Sequence, residues 1–397
     1  MSLNETVSAE RLHISFFGRR NAGKSSLVNA VTGQKLAVVS PVKGTTTDPV
    51  QKAMELLPLG PVLIIDTPGY DDEGVLGALR VEKTNEVLNK TDVAVLVYDA
   101  AEGLSEEDHA LLDTLRSRGL PVILAANKTD LLSATPTPAE PTAISVSALT
   151  GEGVHELKER LADLGRSATK AKMILADLVT PGDTVVLVIP VDESAPKGRL
   201  ILPQQQTLRE LLDLHCKTIC CQVEEVLGVL TMLKTPPRLV ITDSQAFGKV
   251  SPLVPAEIPL TSFSILFARY KGQLSTLAAG AKALASLQDG DRVLISEGCT
   301  HHRQCNDIGT VKIPGWVRQY TGKNLEFSFT SGGEFPTELQ DYALVIHCGG
   351  CMLNEAAMRH RMEVAQAAGV PMVNYGVAIA QMHGILKRSL EPFVNEI

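Results

Sequence analysis

The chain is patterned as short, nearly uninterrupted apolar runs separated by longer mixed stretches. Between about Leu12 and Arg166 the runs are LHISFFG, VLIIDTPG, VAVLVYDA, PVILAANK and AISVSA. Runs this short, apolar at consecutive rather than alternate positions, predict strands buried on both faces. The stretches between them have helix length, and such alternation predicts parallel sheets. A second block, from about Lys172 to Pro259, offers TVVLVIPV and RLVITD as strands, LRELLDLHC as a helix and SQAFGKV as helix-like. A third, from about Leu260 to Ile397, offers SFSILFA, RVLISEG, LEFSFT, YALVIHC and PMVNYG as strands. Its helices are expected in KGQLSTLAAGAKALASL, NEAAMRHRMEVAQAAG and AIAQMHGILKRSL. Clusters at Pro136–Pro141, Pro236–Pro237 and Pro252–Pro259 punctuate the blocks. The expectation is an α/β protein of three domains, over 1–170, 171–260 and 261–397. Each is built on a mainly parallel sheet with helices on its faces.

Composition narrows this picture. The 397 residues, 44% apolar and 21% charged, suit a folded globular chain of roughly two to four domains. No run approaches the ~18 apolar residues of a membrane helix. The start, MSLNETVSAERLH, has no basic region leading into an apolar stretch, so the expectation is a cytoplasmic protein with no membrane partner. The net charge is −8, aromatics are 4%, and Trp316 is the only tryptophan. This balance counts against a chain whose main work is gripping nucleic acid. Seven cysteines, an odd number, suit free thiols, metal or redox chemistry better than a disulfide framework.

The first chemistry is carried by Gly18-Arg19-Arg20-Asn21-Ala22-Gly23-Lys24-Ser25, which fits G-x-x-x-x-G-K-[ST] between a strand and a helix. Backbone N–H groups from Gly18 through Ser26 would wrap phosphates, Lys24 would reach the β/γ-phosphates, and Ser25 would ligate Mg²⁺. Asp66-Thr67-Pro68-Gly69 ends an apolar run. Asp66 is placed for the magnesium shell and the Gly69 N–H for the γ-phosphate. Asn127-Lys128-Thr129-Asp130 follows another run. Asp130 can accept from guanine N1–H and its exocyclic amine, whereas adenine would leave that carboxylate unpaired. Asn127 and the stem of Lys128 would fix the base, and Ser147-Ala148 would offer N–H to guanine O6. Together these specify GTP.

This block resembles small GTPases of the Era/TrmE type, and with them a P-loop GTPase fold. The resemblance implies that Gly44–Asp48 is a switch segment with Thr46 on Mg²⁺ and the γ-phosphate, Thr45 and Thr47 being register alternatives. Lys24, Thr46, Asp66 and Gly69 then form the catalytic set, with slow hydrolysis expected. Tyr70 stands where a water-orienting Gln would be, and Asp71, Asp72 and Glu73 are candidates to position water. Asn21 is either a K⁺ ligand or a plain turn residue.

The second chemistry lies in Cys299-Thr300-His301 and His347-Cys348-Gly349-Gly350-Cys351, each after an apolar run. Loops at the carboxyl ends of neighbouring strands converge on one crevice, so these thiols meet if their strands are adjacent. Tetrahedral zinc, a three-thiolate 4Fe–4S cluster, and buried thiols without metal are all open on the residues alone. C-x-H and H-C-x-x-C, carried C-terminal to a GTPase domain, resemble the FeFe-hydrogenase maturation GTPases of the HydF family. The resemblance implies a 4Fe–4S cluster on Cys299, Cys348 and Cys351, with His301 and His347 as a fourth ligand or as support. It implies a middle dimerisation domain and hence a homodimer. It also implies a scaffold that receives a di-iron precursor from radical-SAM maturases and passes it to the apo FeFe-hydrogenase. Asp307, His302 and Glu297 are further candidates for a labile ligand, and Cys305 reads as a spare thiol. The alternative is an Era/TrmE-like GTPase of ribosome or tRNA maturation with structural zinc.

Two further groups carry candidate chemistry. Cys216 and Cys220 would share a face if helical, but with Cys221 and their leucine neighbours they read as core or interface packing. Arg359, His360 and Arg361, on the helix that follows His347–Cys351, could face an anionic precursor, but read first as a solvated helix face.

Overall fold

The computed structural model describes residues 8–33, 49–57, 59–69, 83–132, 142–168, 173–191, 200–271, 273–298 and 307–397. It divides into two compact units, Met1–Ala171 with Asn354–Ala357, and Lys172–Leu353 with Met358–Ile397.

The first unit contains a six-stranded sheet. Its strands are β1 (Leu12–Phe17), β2 (Val50–Leu56), β3 (Gly60–Asp66), β4 (Val93–Asp99), β5 (Val122–Asn127) and β6 (Ile144–Ser145), in the order β2-β3-β1-β4-β5-β6. Every neighbouring pair is parallel except β2 and β3. Successive side chains of a strand face opposite sides, so both faces are apolar. Ile14, Phe16 and Val95 join one core, Phe17, Ala94 and Leu96 the other. The helices Lys24–Thr32 and Val154–Ala168 supply Leu27, Val28, Leu157 and Leu161 to the first core. The helix Glu106–Ser117 supplies Leu112 and Leu115 to the second. Phe16 pairs with Asp66 and Asp99 with Asn127. The parallel register thus brings the strand ends that carry the motifs to one edge.

The second unit contains two all-parallel four-stranded sheets. The middle sheet has β7 (Thr184–Val188), β8 (Lys217–Cys221), β9 (Leu239–Thr242) and β10 (Leu260–Ser262) in the order β10-β9-β7-β8. The last has β11 (Arg292–Ser296), β12 (Glu326–Thr330), β13 (Leu344–His347) and β14 (Met372–Asn374) in the order β12-β11-β13-β14. The two sheets share one continuous core running from Ile174 to Phe393. Three sheets therefore follow the three blocks of the sequence, while the second and third blocks pack as one body. Among the described residues no helix is long and apolar enough to cross a membrane.

Two elements differ from the sequence reading. SFSILFA is a helix, Phe263–Tyr270, not a strand. Ser262 ends β10, and its hydroxyl caps the helix by accepting from Ile265 N at 3.3 Å. A continuous apolar run cannot distinguish a buried strand from a buried helix, and here the serine decides. The short strand before it pairs with β9, so the middle sheet extends past residue 260. Cys216 and Cys220 do not share a helix face, because Lys217–Cys221 is a strand. Cys216 and Cys221 are buried and Cys220 is exposed.

Candidate GTP site and thiol site

The GTP site begins where β1 ends. Gly18 has φ +148°, and a Cβ there would stand 2.1 Å from the Val97 carbonyl oxygen. Gly23 has φ +87°, and its Cβ would stand 2.2 Å from Asn127 Nδ2. Only glycine fits either place. Asn21 also lies in the left-handed region at φ +64°, which asparagine tolerates. The Lys24 ammonium donates to the carbonyls of Gly18 (2.7 Å) and Arg19 (2.8 Å), closing the loop on itself. Ser25 and Ser26 follow on the first turn of the helix.

Ser25 Oγ donates to Asp66 Oδ2 at 2.6 Å. The other carboxylate oxygen, Asp66 Oδ1, is buried with no hydrogen-bond partner among the described residues. Burial raises the Asp66 pKa, opposed by the bond from Ser25 and the Lys24 charge. An orphaned carboxylate oxygen beside a serine hydroxyl fits Mg²⁺, a hard cation that takes oxygen ligands. Thr67 locks the end of β3 through its hydroxyl and N–H, both on the Phe16 carbonyl, and the chain continues to Gly69.

The base-reading residues form a connected frame. Asn127, 1% exposed, donates from Nδ2 to the Ala22 carbonyl (2.9 Å) and accepts from Ala148 N–H at Oδ1 (3.1 Å). One side chain thus ties the phosphate loop to the Ser147–Ala148 turn. Ser147 Oγ donates to Asp130 Oδ1 at 2.5 Å, orienting an otherwise exposed carboxylate. Lys128, at φ +67°, pairs with Asp99 at 2.8 Å. Burial works against ionised Asp99, but bonds from Lys128 and the Ala101 N–H outweigh it and hold the carboxyl below its usual range.

The thiol site lies at the carboxyl ends of β11 and β13, which are neighbours with Ser296 opposite His347. The Cys348 N–H bonds the Ser296 carbonyl at 2.9 Å. Its Sγ accepts from the N–H of Gly298 (3.0 Å) and of Gly350 (3.3 Å). Gly298 directly precedes Cys299, so the segment leading to Cys299 sits against the Cys348 sulfur. Cys348 and Cys351 are both half-buried. Burial pushes the Cys348 thiol up to about 11 against those two N–H bonds, and raises Cys351 as well. Soft sulfur donors held by backbone N–H groups suit zinc or an iron–sulfur cluster. Lys271, itself buried, donates to the carbonyls of Gly350 and Leu353 and so braces the turn that carries Cys351.

His347 is fully buried, and both ring nitrogens are engaged. Nδ1 lies 2.7 Å from the Cys348 carbonyl oxygen and Nε2 2.8 Å from Arg361 Nη1. The only tautomer that satisfies both carries its proton on Nδ1. Burial, the Arg361 charge and the Lys271 charge hold its pKa down to about 3 against the Cys348 carbonyl, so the ring is neutral. Glu297 is buried and accepts from the Tyr375 hydroxyl at 3.3 Å.

Three family models match successive parts of the chain. Residues 13–128 match the 50S ribosome-binding GTPase family, 174–272 the hydrogen maturase F dimerization domain, and 275–392 the hydrogen maturase F tetramerization domain. The chain belongs to the hydrogen maturase F family.

The relatives found among curated proteins share a smaller part. The tRNA modification GTPase MnmE of Heliobacterium modesticaldum is 39% identical over 150 residues, which is 36% of this chain and 32% of that protein. MnmE of Nitrosospira multiformis is 34% identical over 161 residues, 39% of this chain and 35% of that protein. The chain thus spans about a third of the length of these relatives. Among solved structures, Aquifex aeolicus Era bound to GDP.AlF4- is 22% identical. It covers 52% of this chain and 91% of its own, with a TM-score of 0.35.

In this hydrogen maturase F chain, the structure brings Gly18, Asn21, Ala22, Gly23, Lys24, Ser25, Asp66, Asn127, Lys128, Asp130, Ser147 and Ala148 to one edge of the first sheet. It brings Cys348 against Gly298. Thr45, Thr46, Thr47, Tyr70, Asp71, Asp72, Glu73, Cys299, His301, His302 and Cys305 lie outside the described residues. Among the described residues no three His, Cys, Asp or Glu groups converge on a single metal ion.

Arg361 is where sequence reasoning went astray. It is 3% exposed, not part of a solvated face. Its guanidinium bonds Ser296 Oγ, His347 Nε2 and the Gly332 carbonyl. The only sequence signal was its place six residues into the helix that follows the cysteines.

Proposed function

We propose that this hydrogen maturase F protein binds and slowly hydrolyses GTP, and that its last sheet holds a 4Fe–4S cluster through Cys299, Cys348 and Cys351. Ser25, Thr46 and Asp66 would hold Mg²⁺, with Lys24 and the Gly69 N–H on the phosphates, and Asn21 would take K⁺. The bond from Gly298 N–H to Cys348 Sγ carries the cluster reading, because it joins the approaches to thiols far apart in sequence. His347 acts as support rather than as a ligand, since both its nitrogens are occupied. The candidates for the fourth iron are then His301, His302, Glu297 and Asp307. When bound, the cluster would supply an iron site open to exchange.

The work this suits is that of a scaffold and carrier. The di-iron subcluster of an FeFe-hydrogenase is its cargo, received from radical-SAM maturases and passed to the apo-enzyme. The chain would act as a homodimer through 171–260 in the cytoplasm. GTP would be a switch: its γ-phosphate orders segments around Thr46 and Gly69, and hydrolysis releases them.

Iron, sulfide and zinc content, measured on protein made and reconstituted without oxygen, tests this. About four irons per chain with broad thiolate-to-iron absorption is the expected result. Stoichiometric zinc that iron cannot replace would sink it. Lys24→Ala should lose GTP binding and keep iron, whereas Cys299→Ser should do the reverse.

A further inference from the structure

We propose that Arg361 is the positioning and charge-compensating residue of the thiol site, holding three strand ends together and setting the reduction potential of an anionic iron–sulfur occupant. This deepens the cluster reading above and rests on it.

The geometry begins with the helix Glu355–Ala367, which turns Arg361 inward. Nη1 lies 3.2 Å from the hydroxyl of Ser296, the last residue of β11, and 2.8 Å from Nε2 of His347, the last residue of β13. Nη2 donates to the carbonyl of Gly332, just beyond β12, at 2.5 Å. One planar fork therefore spans the carboxyl ends of three adjacent strands, a task that guanidinium geometry suits and an ammonium does not. Phe335 stacks on it, ring centroid 5.1 Å from Cζ.

Two of those contacts lead directly to the thiols. Arg361 donates to His347 Nε2, which leaves the proton on Nδ1, and Nδ1–H donates to the Cys348 carbonyl. Ser296 accepts from Arg361 through its hydroxyl and from the Cys348 N–H through its carbonyl. Arg361 thus acts on Cys348 from both sides without touching its sulfur.

Charge completes the inference. Among the described residues no carboxylate forms an ion pair with Arg361; its polar partners are a hydroxyl, a neutral imidazole and a carbonyl. A buried cation without a counter-charge is strongly unfavourable, and folds keep one where an anion sits nearby. Cys348 is one hydrogen-bonded residue away, through His347 on one side and Ser296 on the other. A cluster bound by three thiolates supplies that negative charge, and a fixed positive charge nearby favours its more negative, reduced state.

The test uses the full chain, reconstituted without oxygen, as wild type, Arg361→Lys and Arg361→Met. Iron and sulfide are counted, melting is followed, and the reduction potential is titrated by EPR. The expected result is a potential shifted to more negative values in Arg361→Met, with Arg361→Lys lying between it and wild type. A potential in Arg361→Met equal to that of wild type overturns the inference. So does a shift in Arg361→Lys as large as that in Arg361→Met. If Arg361→Met does not fold or load, Arg361→Gln, which keeps N–H donors without charge, carries the same comparison. Wild-type protein that takes up no iron and sulfide instead removes the cluster reading itself, a result distinct from an unmoved potential.

Discussion

Replacing Gly23 with alanine tests how the phosphate loop is joined to the base-reading frame. Gly23 sits at φ +87° and ψ 22°. A residue with a Cβ pays roughly 1–2 kcal/mol for that left-handed backbone. The new methyl would also stand 2.2 Å from Asn127 Nδ2, so Asn127 must move. It then loses its bonds to the Ala22 carbonyl and the Ala148 N–H, worth about 1 kcal/mol each. The total is about 3–4 kcal/mol. If the empty loop relaxes, the loss appears as weaker nucleotide binding, up to several hundredfold at about 1.4 kcal/mol per tenfold. If the loop stays rigid, the loss appears in the unfolding free energy. Both are measured: GDP affinity by calorimetry, and stability by urea denaturation. A double-mutant cycle with Asn127→Ala identifies the route, because Asn127→Ala should cost little once Gly23→Ala has displaced the amide. Two results refute the reasoning: a combined loss below about 0.5 kcal/mol, or strict additivity of the two substitutions.

Three other outcomes are expected. Ser25→Ala removes the 2.6 Å bond to Asp66 and should weaken GTP binding at least tenfold with Mg²⁺ present, while binding in EDTA changes far less; a fluorescent-nucleotide titration with and without metal checks this. Asp99→Asn removes the ion pair to Lys128. The folded carboxyl is depressed, so its contribution is full above the unfolded value near ~4. It is lost as pH falls through the depressed folded value, so melting curves of wild type and variant should converge as the pH drops through it. Arg388→Ala removes a guanidinium that donates to the carbonyls of Ser251, Val254, Pro255 and Ile258. The second unit should lose about 2–4 kcal/mol, read by denaturant unfolding, with GTP affinity unchanged.

The sequence alone determined the parts whose chemistry is contiguous. The phosphate loop is a run of neighbours in which two glycines, a lysine and a serine each have a local reason to be there. Buried parallel strands betray themselves as short apolar runs, and most strands of the three sheets appear where those runs predicted them; the more exposed β2 and β8 do not. Even the thiol pair after β13 was legible, because its residues adjoin. The run SFSILFA was not, since burial on all sides erases the period that separates helix from strand, and only the cap at Ser262 resolves it.

Tertiary structure decided what depends on residues far apart in the chain. That the strand before Gly298 and the strand before Cys348 are neighbours is decided by the order of the last sheet, which no local pattern encodes. What occupies the two nitrogens of His347 is likewise a matter of packing, since one of those partners lies on another element. Arg361 looked like any charged helix residue until the fold buried it against three strand ends. Local propensity assigns a residue to a helix or a strand. Only packing sets how far its charge is removed from water, and so what that charge does.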